Sequence, residues 1–208
     1  MSPAMQMVFV GRNYVDHAKE MGNEVPKEPL LFLKPTSSII RSGDAIVLHP
    51  VSKHIEFEGE IGLVLGRRLT RASEAEALAA LTHVVAINDV SARDLQKNDG
   101  QWARAKGLDT FCPMGTPAPL PADWSELTVV TTQNGVERQR GKASSMVFSI
   151  PMVLSYISQY ITLEAGDVVA TGTPAGVAPL SPGDTITVEL FGSSGLLSSV
   201  SNPVIAGT

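Results

Sequence analysis

Acidic side chains in two short segments of this sequence have the spacing of a metal site. Glu56, Glu58 and Glu60 alternate along a segment that continues as the apolar run 61–65, and Asp89 lies just after another apolar run. If the first segment is a strand, the glutamates share one face with neighbouring Cα atoms about 6.5 Å apart. Carboxylates without thiol or imidazole partners favour a hard cation such as Mg²⁺ or Mn²⁺. A solvated acidic face is the alternative.

A histidine and a glutamate lie three residues apart in a segment that is predicted to form one short helix. On such a helix, Tyr14–Met21, the side chains of His17 and Glu20 share a face. A carboxylate beside an imidazole fixes its tautomer, raises its basicity and can hold a water for deprotonation. An exposed surface pair is the alternative. The polar stretch 22–29, with two prolines, is typical of a mobile loop such as a lid requires.

Strands must position most of these residues, because short runs rich in β-branched residues dominate the chain. The predicted strands are Met5–Val10, Leu30–Leu33, Ala45–Leu48, Ile61–Leu65, Val84–Ile87, Leu127–Thr132, Val168–Thr171 and Thr185–Leu190. The dipeptide Asn134–Gly135 predicts a type I′ hairpin turn after one of them.

Helices are predicted at only three places. The first is Tyr14–Met21, and the second, up to residue 81, follows a capping box formed by Ser73 and Glu76. The third begins at Ser149 and Pro151 and ends near residue 160, since proline is favoured in the first turn of a helix. Uneven strands with few helices predict an α+β fold around a largely β core, as a single domain over residues 1–208.

The composition predicts a globular, cytoplasmic protein that binds neither nucleic acid nor a membrane. The 208 residues are 43% hydrophobic and carry a formal net charge of −5, so no basic field attracts a polyanion or an anionic lipid. No uncharged apolar run approaches the roughly 20 residues that span a bilayer. The only cysteine, Cys112, cannot form an intramolecular disulfide, which fits a reducing cytoplasm. We expect a buried, inert thiol there, with a nucleophile as the alternative.

Four motifs in order resemble the catalytic domain of the fumarylacetoacetate hydrolase family. They are Glu58-Gly59-Glu60, Asp89–Gln96, Lys106–Pro113 and Thr171–Val177. Their order and approximate spacing also match, and the resemblance extends over residues 10–204. It implies an α+β fold with a mixed β-roll core, commonly as a homodimer. It further implies that Glu58, Glu60 and Asp89 bind a Mg²⁺ or Mn²⁺ ion, whereas Glu56 lies outside the matching motif.

The resemblance also implies roles for catalytic residues. The segment that contains His17 and Glu20 is similar to the Asn-Tyr-x-x-His-x-x-Glu stretch of the acylpyruvate hydrolase and oxaloacetate decarboxylase branch, where this pair activates water and belongs to a lid. Lys106 matches a lysine that stabilises enolate charge and can deliver a proton. An ordinary surface lysine is the alternative for Lys106.

Contacts to the substrate are implied for four further residues: Arg12, Arg93, Gln96 and Thr173. For Arg93 and Gln96 the alternative is a structural ion pair with Asp94 or another acid. The loop 171–177 could offer backbone N–H groups and the Thr173 hydroxyl to a carboxylate, with a plain turn as the alternative. The segment 189–196 is looser than the family pattern, which puts the far wall of the pocket or a dimer contact in doubt.

The implied activity is metal-dependent C–C bond hydrolysis of acylpyruvates such as fumarylpyruvate or acetylpyruvate, or decarboxylation of oxaloacetate, through a pyruvate enolate stabilised by the metal. The alternative within the family is a 2-hydroxyhepta-2,4-diene-1,7-dioate isomerase or 5-carboxymethyl-2-oxohex-3-ene-1,7-dioate decarboxylase of aromatic degradation. A non-catalytic module that captures dicarboxylates is disfavoured by the retention of the acids, His17, Glu20 and Lys106. A serine hydrolase is disfavoured because the chain has no Gly-x-Ser-x-Gly motif.

Overall fold

The computed structural model describes residues 5–208, and short strands dominate it. The strands are β1 (Met7–Gly11), β2 (Leu30–Leu33), β3 (Ile39–Ile40), β4 (Ile46–Leu48), β5 (Ile55–Glu56), β6 (Gly59–Leu65), β7 (Leu81–Asn88), β8 (Ser91–Ala92), β9 (Cys112–Pro113), β10 (Ala118–Pro119), β11 (Thr128–Gln133), β12 (Val136–Lys142), β13 (Val168–Ala170), β14 (Thr185–Gly192) and β15 (Gly195–Ala206). The helices are α1 (Val15–Glu20), α2 (Glu74–Ala80), α3 (Arg93–Asn98), α4 (Ala103–Lys106) and α5 (Ile150–Tyr160).

Two mixed sheets form the body of the fold. The larger has the strand order β10-β7-β6-β13-β1-β2, in which β1 and β13 run parallel and all other neighbours are antiparallel. The smaller has the order β12-β11-β14-β15-β4, with β15 and β4 parallel. Two short ladders pair β3 with β9 and β5 with β8. The predicted α+β fold with mixed sheets and few helices is confirmed.

The largest core cluster is formed by the inward faces of both sheets and by α5. Ile61 and Leu63 of β6 pack there with Val188 of β14 and with Ile157 of α5, and all four are fully buried. Burial of one such side chain stabilises the fold by about 1.5–3 kcal/mol. The core therefore fixes β6, the strand that carries part of the acidic segment. Cys112 is buried as predicted, and burial raises the pKa of its thiol to about 12.

Local sequence signals correctly predicted three features. The Ser73–Glu76 capping box is present at the start of α2. The Ser149 hydroxyl accepts a hydrogen bond from the Met152 N–H at the start of α5. In the turn between β11 and β12, Asn134 and Gly135 have φ angles of 54° and 78°, as a type I′ turn requires. Within residues 5–208 no helix combines the length and apolar character needed to cross a bilayer.

Some predicted boundaries were wrong by a residue or two. Leu81 was expected to end the helix α2, but its backbone is extended and it begins β7. Leu127 precedes β11 instead of starting it, and Thr171 follows the end of β13. The backbone N–H and the hydroxyl of Thr171 both donate to the carbonyl of Ile61, so the contact between β13 and β6 continues one residue past the end of β13.

The long strand β15 was not predicted from apolar runs. Its buried positions alternate, but two of them are polar, Ser198 and Asn202. The Ser198 hydroxyl donates to the Thr116 carbonyl at 2.8 Å and accepts from the Ala86 N–H at 3.0 Å. The Asn202 amide donates to two backbone carbonyls. These hydrogen bonds satisfy the buried polar groups. Because Ser198 and Asn202 are polar, the alternation of apolar residues on which strand prediction depends is interrupted in the sequence.

Candidate metal centre and catalytic cavity

The acidic segment is not one continuous strand, which was the condition for the three glutamates to share one face. The strand β5 ends at Glu56 and β6 begins at Gly59. The Glu58 N–H donates to Asn88 Oδ1 at 3.0 Å, and the Gly59 N–H donates to Gln139 Oε1 at 2.9 Å. Side-chain oxygens thus accept the two N–H groups at this point, although the Glu58 carbonyl still accepts the Asp89 N–H. The predicted alternation of three glutamates on one face is therefore broken.

Glu58, Glu60 and Asp89 nevertheless converge. One carboxylate oxygen from each lies within 4.8 Å of the other two, and the residues are at most 5% exposed. The antiparallel pairing of β6 with β7 sets the start of one strand beside the end of the other. A Cβ atom at Gly59 would overlap the Thr131 hydroxyl, so the position between the two glutamates requires glycine. A buried set of carboxylate oxygens fits Mg²⁺ or Mn²⁺.

Two buried lysines offset part of this negative charge. Lys106 Nζ donates to Glu58 Oε2 at 2.7 Å and to Asp89 Oδ2 at 2.6 Å. Lys34 Nζ donates to the other Asp89 oxygen at 2.6 Å and also to two backbone carbonyls. Burial alone would lower the pKa of Lys106, but the carboxylates of Asp89 and Glu58 raise it above its ordinary value. The Lys106 ammonium therefore supplies positive charge between two of the three acids, Glu58 and Asp89.

Glu60 has no ammonium partner within residues 5–208. Its carboxylate accepts a hydrogen bond from the Gly172 N–H at 2.9 Å. Burial raises the pKa of Glu60 well above its ordinary value, and the charges of Asp89 and Glu58 raise it further. Burial has the same tendency at Glu58, but neighbouring cations, Arg93 first, hold the pKa of Glu58 below its usual range. The centre thus lacks positive charge at Glu60, which a divalent ion would supply.

Arg93, at the start of α3, extends the charged cluster on its outer side. Its Nε donates to Glu56 Oε2 at 2.6 Å, and its Nη1 lies 2.6 Å from Glu58 Oε1. Nη1 also donates to Gln96 Oε1 at 2.9 Å. These partners show that Glu56 is bound to arginine and stands apart from the trio. Nη2 is buried and has no hydrogen-bond partner in the described part of the chain, so its donors remain available to a ligand.

The helix α1 brings His17 and Glu20 together. His17 is 5% exposed, and its Nδ1 lies 3.4 Å from Glu20 Oε2. Glu20 is more open, with 35% of its side chain exposed, and its carboxylate accepts the Gly176 N–H at 3.1 Å. The pair is therefore not a free surface pair. Glu20 connects α1 to the loop 171–177.

A cavity of about 830 Å³ opens on the acidic centre. Nine of the ten predicted site residues line it, and they are Arg12, His17, Glu20, Glu58, Glu60, Arg93, Gln96, Lys106 and Thr173. Asp89 is fully buried and is not among the residues that line the cavity. The structure therefore gathers residues from distant parts of the chain around one cavity.

The polar groups of the loop 171–177 form hydrogen bonds within the protein. The Thr173 hydroxyl donates to the Gly59 carbonyl at 2.9 Å and accepts from Gln139 Nε2 at 2.7 Å. The Gly172 N–H donates to Glu60 and the Gly176 N–H to Glu20. The hydroxyl and the two amides that were expected to face a substrate carboxylate are thus already engaged.

Sequence reasoning missed Lys34 and Asn13. Lys34 follows the apolar strand β2 and is 3% exposed; a lone lysine after such a run is the only signal in the sequence. Asn13 is fully buried, and its side chain donates to the carbonyls of Phe148 and Thr171 at 3.1 and 2.8 Å. Asn13 thereby ties the start of α1 to the loop that carries Thr173.

This chain is similar in sequence and in fold to known proteins. A family model described as fumarylacetoacetate hydrolase, C-terminal, matches residues 6–205. The mitochondrial oxaloacetate tautomerase FAHD1 of Arabidopsis thaliana is 41% identical over 196 residues, which cover 91% of this chain and 87% of the relative.

Two solved structures superpose closely on nearly the whole chain. The 5-carboxymethyl-2-hydroxymuconate delta-isomerase of Mycobacterium smegmatis is 39% identical with a TM-score of 0.89, covering 99% of this chain and 80% of that one. The 2-hydroxyhepta-2,4-diene-1,7-dioate isomerase of Mycobacterium marinum is 38% identical with a TM-score of 0.87, covering 98% and 75%. With a family model that spans nearly all residues and with motifs that converge on one cavity, the chain belongs to the fumarylacetoacetate hydrolase family.

Proposed function

We propose that this protein hydrolyses acylpyruvates and decarboxylates oxaloacetate, both through a pyruvate enolate. One observation carries the proposal: the carboxylate trio, the Lys106 ammonium and the His17–Glu20 pair meet at one cavity. A cation site and an electron sink serve both reactions, whereas a base is needed only where water attacks.

Glu58, Glu60 and Asp89 are the residues that would hold a Mg²⁺ or Mn²⁺ ion. When bound, the ion supplies Lewis-acid chemistry to the 1-carboxylate and the 2-oxo group of the substrate. Carboxylate ligands must be deprotonated, so the raised pKa of Glu60 opposes metal binding until the charge of the ion offsets it. Lys106 would also compete with the ion, because its ammonium contacts Glu58 Oε2 and Asp89 Oδ2.

Lys106 would stabilise the charge that develops on the substrate. Its ammonium lies beside the cavity, 5.0 Å from the Phe32 ring centre. Lys106 is only 2% exposed, and a fixed charge acts more strongly in such surroundings than in water. There it would stabilise the enolate oxygen and donate a proton to the carbon that becomes the methyl group of pyruvate.

His17 would provide the base for hydrolysis. Its Nδ1 faces Glu20, so Nε2 is the nitrogen left to take a proton from water. The hydroxide oxygen adds to the 4-oxo carbon, and the bond between carbons 3 and 4 then breaks. The bonding electron pair passes to the enolate while a carboxylic acid departs. Oxaloacetate needs no water, because loss of CO₂ leaves the same enolate.

Arg93 and Gln96 would bind a carboxylate group of the substrate. The free Nη2 donors of Arg93 are buried beside the cavity, and an unpaired buried donor costs about 1–3 kcal/mol until a ligand satisfies it. Glu56 and Gln96 keep the guanidinium in place through the bonds to Nε and Nη1. A planar carboxylate is the natural partner for the remaining donors.

Isomerisation or keto–enol tautomerisation is the second candidate. The relatives named above favour it, since they are an oxaloacetate tautomerase and two isomerases. Such reactions move a proton between carbon and oxygen through the same enolate and need no attacking water. Lys106 and His17, which line one cavity, would give and take that proton.

A substrate panel tests the proposal. The protein, supplied with Mg²⁺ or Mn²⁺, is assayed on acetylpyruvate, fumarylpyruvate and oxaloacetate, with chelator-treated protein as the control. Metal-dependent release of pyruvate supports hydrolysis or decarboxylation. A change in the ultraviolet absorbance of the enol without pyruvate would replace the proposal by the second candidate.

A further inference from the structure

We propose that Arg12, stacked on Trp102, binds the distal carboxylate of the acyl group, so that acylpyruvates with a second carboxylate, such as fumarylpyruvate, are preferred over acylpyruvates without one. The inference rests on the proposed function, because it concerns the end of the substrate that lies away from the reacting carbons. It assigns to the Arg12–Trp102 pair a subsite of its own, distinct from the Arg93 side of the cavity.

Arg12 is a cavity-lining cation without an acidic partner. Arg93 is bound by Glu56 and Glu58, and Lys106 is bound within the carboxylate trio. Arg12 lines the same cavity but makes no ion pair and no side-chain hydrogen bond with any residue from 5 to 208. Its guanidinium carbon lies 5.9 Å from the Trp102 ring centre, so its donors are left for a ligand.

The Trp102 ring holds the Arg12 guanidinium in a position that suits the binding of a planar anion. An arginine stacked on an aromatic face keeps the N–H groups of its edge free, and it loses less entropy when a carboxylate binds bidentately. Trp102 is itself fixed. Its ring packs edge-on against Phe32 with centres 5.4 Å apart, and it fits so closely over Gly11 that a Cβ there would come within 3.1 Å.

An aromatic wall connects this subsite to the reacting end of the cavity. Phe32 lies between the two ends, with its ring centre 5.0 Å from Lys106 Nζ and 5.4 Å from the Trp102 ring. Arg12 stands beyond Trp102. The cavity of about 830 Å³ is large for a three-carbon pyruvate unit, and Phe32, Trp102 and Arg12 all line it. A substrate held at Lys106 would therefore present its distal group towards Arg12.

The backbone at Arg12 is held in an uncommon conformation that sends the side chain into the cavity. Its φ angle is 59°, in the left-handed region that residues other than glycine seldom adopt. Such a conformation persists where the surroundings fix it, often at functional sites. Asn13 provides the fixing here, since it is fully buried and bonded to Phe148 and Thr171. The turn places Asn13 inward and Arg12 on the cavity wall.

Lys97 is the competing candidate for the same role. It also lines the cavity, it is exposed on α3, and it has no ion pair in the described chain. No aromatic ring holds its ammonium, which is a flexible point charge and not a planar fork. Replacement of Lys97 by Gln therefore distinguishes the two candidates.

The first experiment compares fumarylpyruvate, which has a distal carboxylate, with acetylpyruvate, which has a methyl group there. Arg12→Gln should lower the ratio of kcat/KM for fumarylpyruvate over acetylpyruvate by about 10- to 100-fold, the range for a lost charged hydrogen bond. The loss should appear mainly in KM. Arg12→Lys should recover only part of the ratio, because it restores charge without the fork. Arg67→Gln, at an exposed arginine outside the cavity, is the matched control.

The second experiment uses ligands that cannot be cleaved. 2-Oxoglutarate and 2-oxopentanoate have the same number of carbons and differ in the distal carboxylate, and calorimetry with the metal-loaded protein measures their binding. We expect about tenfold or greater preference for 2-oxoglutarate, lost in Arg12→Gln. An unchanged preference in that variant, or its loss in Lys97→Gln instead, would overturn the inference. A preference that depends on Arg12 without any cleavage of acylpyruvates would sink the proposed function alone.

Discussion

Lys34 donates a hydrogen bond of 2.6 Å to Oδ1 of Asp89, and Lys106 donates one of the same length to Oδ2. The two ammonium groups differ in what else holds them. Lys34 also donates to the backbone carbonyls of Val90 and Phe111 at 3.2 and 2.7 Å, whereas the other bond of Lys106 goes to the carboxylate of Glu58. We therefore expect Lys34 to remain as the counter-charge of Asp89 and Lys106 to be the ammonium that an incoming ion displaces.

Replacement of Lys34 by Met should destabilise the metal-free protein by up to about 3–5 kcal/mol, because it removes one of the two ammonium groups that neutralise the buried carboxylate of Asp89. Urea unfolding measures the change. Saturating Mn²⁺ should recover part of the loss, since an ion supplies charge to Asp89 and binds only the folded state. Lys53→Met, at an exposed lysine, is the control. A loss below about 1 kcal/mol would show that Asp89 does not depend on Lys34.

Replacement of Lys106 by Met should have opposite effects on metal binding and turnover. Without the competing ammonium, Glu58 and Asp89 are free, so Mn²⁺ should bind more tightly in calorimetry. Turnover should fall by about 10²- to 10³-fold, the range for removal of a group that stabilises charge in the transition state. Near-normal turnover would exclude Lys106 from the chemistry. Weaker Mn²⁺ binding would show that the lysine supports the metal site instead of competing with the ion.

Replacement of Asp89 by Asn should abolish metal binding and, with it, turnover. Asp89 contributes one of the three converging oxygens and is fully buried, so no other carboxylate can move into its place. Calorimetry with Mg²⁺ or Mn²⁺ measures the first effect, and the substrate panel measures the second. Asp99→Asn, which removes a surface ion pair with Arg104, is the control. Unchanged metal affinity in the Asp89 variant would refute the assignment of the trio.

The sequence was a good guide to the chemistry of this centre and a poorer guide to its charge balance. The carboxylate trio, the His17–Glu20 pair and Lys106 were found from motifs in chain order, and the structure brings them to one cavity. Lys34 was missed, since its pairing with Asp89 spans 55 residues and depends on how two strands end. The interruption between Glu56 and Gly59 was also missed, because it depends on the distant side chain of Gln139.

The stability of the metal-free protein should decrease as the pH rises, and Glu60 should be a cause. Burial, then Asp89 and Glu58, raise the pKa of Glu60 above its ordinary value of 4.5 in the folded state. Above that value the unfolded chain has released the proton that the folded chain keeps, so stability declines until the folded-state pKa is passed.

Glu60→Gln isolates this effect. The variant should be more stable than the metal-free parent at neutral pH, should lose the corresponding part of the pH slope and should no longer gain stability from Mn²⁺. Urea unfolding from pH 4.5 upward, with and without Mn²⁺, measures all three. Glu74→Gln, at an exposed glutamate of α2, is the control. A variant that is destabilised at every pH would show that Glu60 is ionised and well compensated without metal.

Replacement of Glu20 by Gln should separate hydrolysis from decarboxylation. Hydrolysis of an acylpyruvate needs an activated water, and loss of a general base typically lowers the rate about 10²- to 10⁴-fold. Decarboxylation of oxaloacetate needs no attacking water and should be less affected. The glutamine oxygen can still accept the Gly176 N–H that Glu20 binds, so the contact between α1 and the loop 171–177 should persist.

The ratio of the two losses in kcat/KM within one variant decides what the pair does. Glu20→Ala provides the comparison, because it removes both the charge and the acceptor for Gly176. If Gln damages hydrolysis alone and Ala damages both reactions, Glu20 activates His17 and also holds α1 against the loop. Equal losses in the Gln variant would mean that the pair only closes the cavity. A selective loss of decarboxylation would contradict the mechanism, because the enolate from oxaloacetate forms without the base that His17 and Glu20 provide.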